Sequence, residues 1–172
     1  MSSRAVTRQG IVDGYDPSNY AIRVALQPDG TLTDWISLKT AWAGNGWGLF
    51  LAPSIGDVVE VDFQEADGES GSVGWRFFNN QNRPLPVPSG EAWLVHKSGA
   101  SIKLTNDGKL TLADGHGTVL ALDNAGNVAI TGNVTVTGAI TAQGEVTGNG
   151  KRLSTHQHSG VAIGGANTGA PV

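Results

Sequence analysis

The sequence predicts an all-β protein in two parts, a small N-terminal barrel and a thinner C-terminal shaft that closes only when three copies intertwine. Three observations lead there. Helix propensity is low, because charged residues make up only 15% of the chain, glycine numbers 25, and threonine and valine crowd the second half. Short apolar runs punctuated by turn residues fill the span from about Gly10 to Phe78. Beyond them Gly126, Gly132, Gly138, Gly144 and Gly150 recur every six residues, with apolar and polar positions alternating between them.

At 172 residues the chain accommodates two modest β domains joined by an extended segment. It has no cysteine, which removes disulfides and thiolate metal sites and leaves histidine as the soft nitrogen ligand. No apolar run is long enough to span a bilayer as a helix, and Met1-Ser2-Ser3-Arg4 opens without the apolar segment of a signal peptide. The expectation is a chain made and kept soluble in the cytoplasm. A formal charge of −4 and the lack of a basic stripe argue against nucleic acid as a partner. No Ser/His/Asp set, phosphate loop or paired-carboxylate signature emerges, so no enzyme is expected, and Asp13, Asp57 and Asp62 are assigned to solvating the barrel.

In the first part the strands are expected at Gly10 to Asp13, Ala21 to Leu26, Asp34 to Leu38, Asp57 to Phe63 and Ser72 to Phe78. Asp16-Pro17-Ser18-Asn19 and Pro28-Asp29-Gly30 supply the turns. Within Asp57 to Phe63, Val59, Val61 and Phe63 share one parity and are expected in the core. Five short strands make a small barrel of OB-like size. Between the third and fourth lies Trp42-Ala43-Gly44-Asn45-Gly46-Trp47-Gly48-Leu49-Phe50, whose aromatics are expected to plug the barrel or be buried at an interface. OB barrels often stack bases on such aromatics, but the acidic balance and the loop from Glu65 to Glu69 favour a protein-docking barrel.

Arg83-Pro84-Leu85-Pro86-Val87-Pro88-Ser89-Gly90 reads as an extended linker, because its prolines deny the backbone donors that a central strand needs. Further strands follow at Trp93 to His96, Ser101 to Leu104, Lys109 to Leu112, Val119 to Leu122 and Val128 to Ile130. Asn106-Asp107-Gly108, Asp114-Gly115-His116-Gly117 and Asn124-Ala125-Gly126 separate them as turns. Gly108, Gly117 and Gly126 stand nine apart before the step shortens to six.

Each six-residue unit offers only one or two apolar side chains, and four such units are too few to close a core in one chain. Three intertwined copies solve this, pooling the even-numbered residues around one axis and leaving no strand edge exposed. The inward positions shrink from Ile130 to Val136, Ala142 and Gly148, so the prism is expected to taper. His156 and His158, two apart on an extended segment, project to one side. In a single chain they are a poor two-ligand site. Three chains supply six imidazoles, an octahedral set suited to Fe(II) or Ni(II) rather than tetrahedral zinc, with no open position, so the ion's role is structural.

Two segments carry a family resemblance. The run Pro53-Ser54-Ile55-Gly56-Asp57-Val58-Val59-Glu60-Val61-Asp62-Phe63, with Gly71-Ser72-Val73-Gly74 and the exit Asn79-Asn80-Gln81-Asn82-Arg83-Pro84, resembles the N-terminal OB domain of phage baseplate assembly protein V, the central spike of contractile tails. Related barrels occur in type VI secretion spikes. Ser154-Thr155-His156-Gln157-His158-Ser159-Gly160 looks like the apex of the P2-like and Mu-like phage spikes, in which a His-x-His motif binds one iron through six histidines of a trimer.

The resemblance implies an OB-fold hub-docking domain over 1–82, a proline-rich linker over 83–92, a triple-stranded β-helix over 93–150 and a metal-binding apex over 151–172. It implies a homotrimer on the baseplate hub at the tail tip of a virion or related pyocin, synthesised in the host bacterial cytoplasm and driven through the outer membrane on sheath contraction. The implied cofactor is one iron ion per trimer, Fe(II), held by His156 and His158; family apices also hold calcium or chloride, for which no ligands are assigned. His96 and His116 match nothing in the motif. Other readings are a type VI spike, a trimeric fibre or adhesin with an OB head, and a non-haem Fe(II) oxygenase, which lacks a third facial ligand nearby.

Overall fold

The computed structural model describes residues 6–63, 71–157, 160 and 164. The chain divides into two compact units, Met1–Ser89 and Gly90–Val172. Every regular element among the described residues is a β-strand, as the composition predicts.

The first unit is built from β1 (Val6–Asp16), β2 (Ala21–Leu26), β3 (Thr31–Leu32), β4 (Ile36–Leu38), β5 (Val58–Phe63) and β6 (Gly71–Phe77). The sheet order is β1-β5-β6-β4-β2-β3, and β1 also pairs with β2, so five strands close into a barrel with β3 appended to β2. Closure needs a long strand that serves two neighbours. β1 does this: Gly10 and Ile11 face Leu26 and Ala25 on one side, and Val59 and Val58 on the other. A register shift between Val12 and Gly14 bends it round the corner. Gly10 is required at the crossing, because a β-carbon there would lie 2.3 Å from a methyl of Val24.

Alternation fills the interior. Val59, Val61 and Phe63 point inward, as their parity requires, with Val12, Ile22, Val24, Leu26, Ile36, Leu38 and Val73 completing the core. The buried hydroxyl of Thr33 accepts a hydrogen bond from the Val24 amide at 3.0 Å, so this polar side chain enters the core with its partner. On the outer surface Asp62 is held below its ordinary pKa, chiefly by the Lys39 ammonium at 2.7 Å. Asp57 accepts from the Ser54 amide at 2.9 Å and faces Arg76 at 3.6 Å, so it caps the turn into β5 as well as meeting solvent.

The second unit is an antiparallel meander of β7 (Ala92–Val95), β8 (Ser101–Leu104), β9 (Leu110–Ala113), β10 (Val119–Leu122) and β11 (Val128–Thr131), in spatial order β11-β10-β9-β8-β7. A small hairpin, β12 (Thr147–Gly148) with β13 (Lys151–Arg152), follows. Strands β7 to β11 therefore find their ladder partners within one chain, where the sequence led us to expect intertwining from residue 93 onward. Consecutive four-residue strands joined by tight turns satisfy each other's hydrogen bonds first. Bends at Gly132, Gly138 and Gly144 mark the six-residue step, and among the described residues no strand lies between β11 and β12.

The inward parity of β5 sets a test. Phe63→Ala should destabilise the barrel by about 3–5 kcal/mol, and Val58→Ala, on the other face of the same strand, by less than about 1 kcal/mol. Denaturant unfolding of the full chain, followed by tryptophan fluorescence, measures both.

Candidate functional site

The register of the meander assembles a surface that no single strand reveals. Leu94, Ile102, Leu112, Leu120 and Ile130 stand opposite one another in turn across all five strands. Two residues along, Ala92, Leu104, Leu110, Leu122 and Val128 form a second row on the same face. Every position is apolar. Yet the face is bare: Leu94 is 56% exposed, Leu104 52% and Val128 62%. The opposite face carries smaller and more polar groups, among them Ser101, Lys103, Thr111 and Thr131, with the Lys103 ammonium 4.2 Å from the Trp93 ring centroid. A contiguous apolar face of this extent marks a contact surface.

The turns hold that face in register. Asp123 accepts from the amides of Ala125 (2.7 Å) and Asn127 (3.1 Å), and Asp114 from those of His116 (2.7 Å) and Thr118 (3.0 Å). These bonds stabilise the ionised carboxylates. The Asn127 side chain is the largest influence lowering Asp123, and the His116 amide the largest lowering Asp114. Asp107 is held at about 2, first by Lys109 and then by the Thr105 hydroxyl. Glycine sits where each turn needs a left-handed residue, as at Gly108 (φ 78°) and Gly126 (φ 87°).

Beyond β11 the apolar side chains of the six-residue repeat stay exposed, Val134 at 62% and Ile140 at 75%. Ile140, Ala142, Val146 and Leu153 line a shallow groove beside the β12–β13 hairpin. There Glu145 accepts from both the amide and the hydroxyl of Ser154, contacts that lower its pKa. His156 follows directly. Its Nδ1 lies 2.8 Å from the Leu153 carbonyl, which can only accept, so Nδ1 carries the proton and Nε2 the lone pair a metal requires. His158 lies outside the described residues. Among the described residues no three His, Asp or Glu side chains come together as a metal site within one chain. His96 and His116 are exposed turn residues, bonded to Ser98 (2.8 Å) and to the Asp114 carbonyl (3.2 Å).

On the first unit the aromatic loop does not plug the barrel, whose interior is already filled. Trp42 (63% exposed) and Trp47 lie outside with ring centroids 5.4 Å apart. The loop is nonetheless fixed: Ala43 and Gly48 form a bridge, the Thr40 hydroxyl donates to the Leu49 carbonyl at 2.6 Å, and the Leu51 amide donates to the Tyr20 hydroxyl at 3.0 Å. Arg76 holds the carbonyls of Leu51 and Ala52. From Thr40 to Gly56 no residue is charged, so this rigid loop presents an apolar contact surface.

Residues 8–75, the span of this barrel, match the family model described as the type VI secretion system/phage-baseplate injector OB domain. The barrel is similar to that injector OB domain. Its sequence is 35% identical over 68 residues, 39% of the chain, to the type VI secretion system spike proteins VgrG1a and VgrG1b of Pseudomonas aeruginosa, and 32% identical over 73 residues to VgrG4b of the same organism. The matched part spans only 11% of VgrG1a and 9% of VgrG1b and VgrG4b. The meander, the six-residue repeat and the histidine segment lie beyond the matched residues of the injector OB domain.

A depressed carboxyl pKa stabilises the folded state above the ordinary value and loses that effect as pH falls through the folded value. For Asp107 the window runs from 3.8 down to about 2. Carboxyl NMR should therefore give a midpoint of about 2, and Lys109→Ala should move it up toward 3.8. An unchanged midpoint in the variant would remove Lys109 as the cause.

Proposed function

We propose that the chain is one third of a homotrimeric puncturing spike of a contractile injection device, in which the injector OB domain docks on the baseplate hub and the histidine segment leads through the bacterial outer membrane. The observation that carries this reading is the bare apolar face of the meander. Among the described residues the two rows of five side chains have no covering layer, and three copies turned face inward would give one another that layer. The even parity of both rows continues through Val134, Val136, Ile140 and Ala142, so the same inward face runs on where the chains intertwine and the shaft tapers.

The work is mechanical rather than catalytic. A closed three-chain prism has no strand edge to peel, and it comes apart only when three chains separate, so its resistance is kinetic. The residues fit a metal at the tip: the Leu153 carbonyl fixes the His156 tautomer with Nε2 as ligand, and His158 stands two residues on. His156 and His158 of three chains would hold a single iron ion. Bound there, the ion supplies a saturated structural staple where Gly148 and Gly150 bury little. The fixed aromatic loop is the hub-facing surface in this reading, which places the protein at the tail tip of a phage or pyocin. A type VI secretion spike is the second reading, favoured by the spike proteins that share the barrel.

Sizing with metal analysis tests the proposal. The wild type is expected as a trimer with one iron per three chains, Leu112→Asp as dissociated chains, and His156→Ala/His158→Ala as a trimer without iron. A wild-type monomer, or one metal per chain, would sink the three-chain reading.

A further inference from the structure

The meander places its turns in two rows at opposite ends of the strands. One row holds the β8–β9 and β10–β11 turns, with Glu91 beside them; the other holds the β7–β8 and β9–β10 turns. The rows differ in charge and in side chains. The first carries Glu91, Asp107 and Asp123 against Lys109, with the amide side chains of Asn106, Asn124 and Asn127. Its members are clasped together, since the Asn106 amide donates to Glu91 at 3.2 Å and the Asn124 side chain donates to the Asp107 carbonyl at 3.2 Å.

In the second row Gly99 and Gly115 approach so closely that a β-carbon on Gly115 would lie 2.8 Å from the Gly99 carbonyl carbon. This row carries Lys97 with His96 and His116. Asp114 accepts from the amides of its own turn, as Asp123 does in the first row, and offsets Lys97, so the second row is formally neutral where the first is net negative; among the described residues no carboxylate stands within ion-pair distance of Lys97.

We infer that, in the trimer, the anionic turn row of one copy seats against the lysine- and histidine-bearing row of the next, where Gly99 and Gly115 bring the two turns together. The inference rests on the three-chain reading above. Each copy then offers one row and receives the other, a heterologous contact that closes after three steps. It requires strands that run across the shaft axis. Each wall is then about 13 Å wide, the length of a four-residue strand, and every further hairpin lengthens the shaft. Charge complementarity fixes which row meets which and rejects a copy docked in reverse.

The chain has no cysteine, so introduced pairs report without background. Two double variants of the full chain, Lys97→Cys with Ala125→Cys and Lys97→Cys with Lys109→Cys, sample both axial offsets between the rows. Under mild oxidation at least one should run as a covalent trimer on a denaturing gel, while each single variant runs as one chain. The comparison pair Val95→Cys with Ala129→Cys probes the alternative in which β7 and β11 edges of neighbouring copies pair. A protein that sizes as a trimer yet cross-links in neither row pair, or only through the edge pair, overturns the turn-row contact and leaves the trimer standing. Monomers throughout overturn both.

Discussion

A sheet one layer thick cannot keep an apolar face dry by itself, and everything in the second unit follows from that constraint. Its five strands pair in turn and leave β7 and β11 as edges, and among the described residues nothing covers the rows that begin at Leu94 and Ala92. Burial of a Leu or Ile side chain is worth about 1.5–3 kcal/mol. Eight of the ten positions are Leu or Ile, and leaving them open to water forfeits a sum comparable to the whole stability of a small domain. The carboxylate-locked turns make sense in that light: they hold the strands of the wall in register without a covering layer.

The barrel solves the same problem within one chain. Its sheet curls until Val12, Ile22, Val59 and Val61 face one another, so it holds a filled interior without help. What it leaves outside is the uncharged loop of Trp42 and Trp47, fixed through Tyr20 and Arg76. A fixed aromatic surface loses little conformational freedom on docking, which is why such residues dominate tight contacts. One unit thus leaves its apolar rows open, while the other fills its interior and keeps an apolar excess on its surface loop.

Much of this was legible in the residues. Period-two alternation located Ala21–Leu26, Ser101–Leu104 and Val119–Leu122 at the boundaries the structure has, and the parity of Val59, Val61 and Phe63 gave their burial. Thr31–Leu32 escaped notice because two residues carry no period, and their pairing is imposed by β2. Of the two places expected for the loop tryptophans, the barrel interior is already filled by aliphatic side chains and Phe63, which leaves the interface. The apolar wall was missed for a different reason. Each strand was read alone, while the wall exists only in the register between strands, whose signal is the even numbering shared by all ten positions. Of the histidine pair, the Leu153 carbonyl that orients His156 comes from a turn that no spacing rule announces.

The glycines at 90, 99, 108, 117 and 126 all adopt positive φ and stand nine residues apart, so one complete hairpin advances the sequence by eighteen. Eighteen is even, as is the later step of six. Gain or loss of a whole hairpin therefore keeps every following side chain on its original face, whereas a one-residue insertion inside a strand turns the remainder of that strand inside out. The fold is in effect a ruler with fixed graduations: whole hairpins, or steps of six, can be added or removed without turning a side chain over, and an odd insertion within a strand cannot.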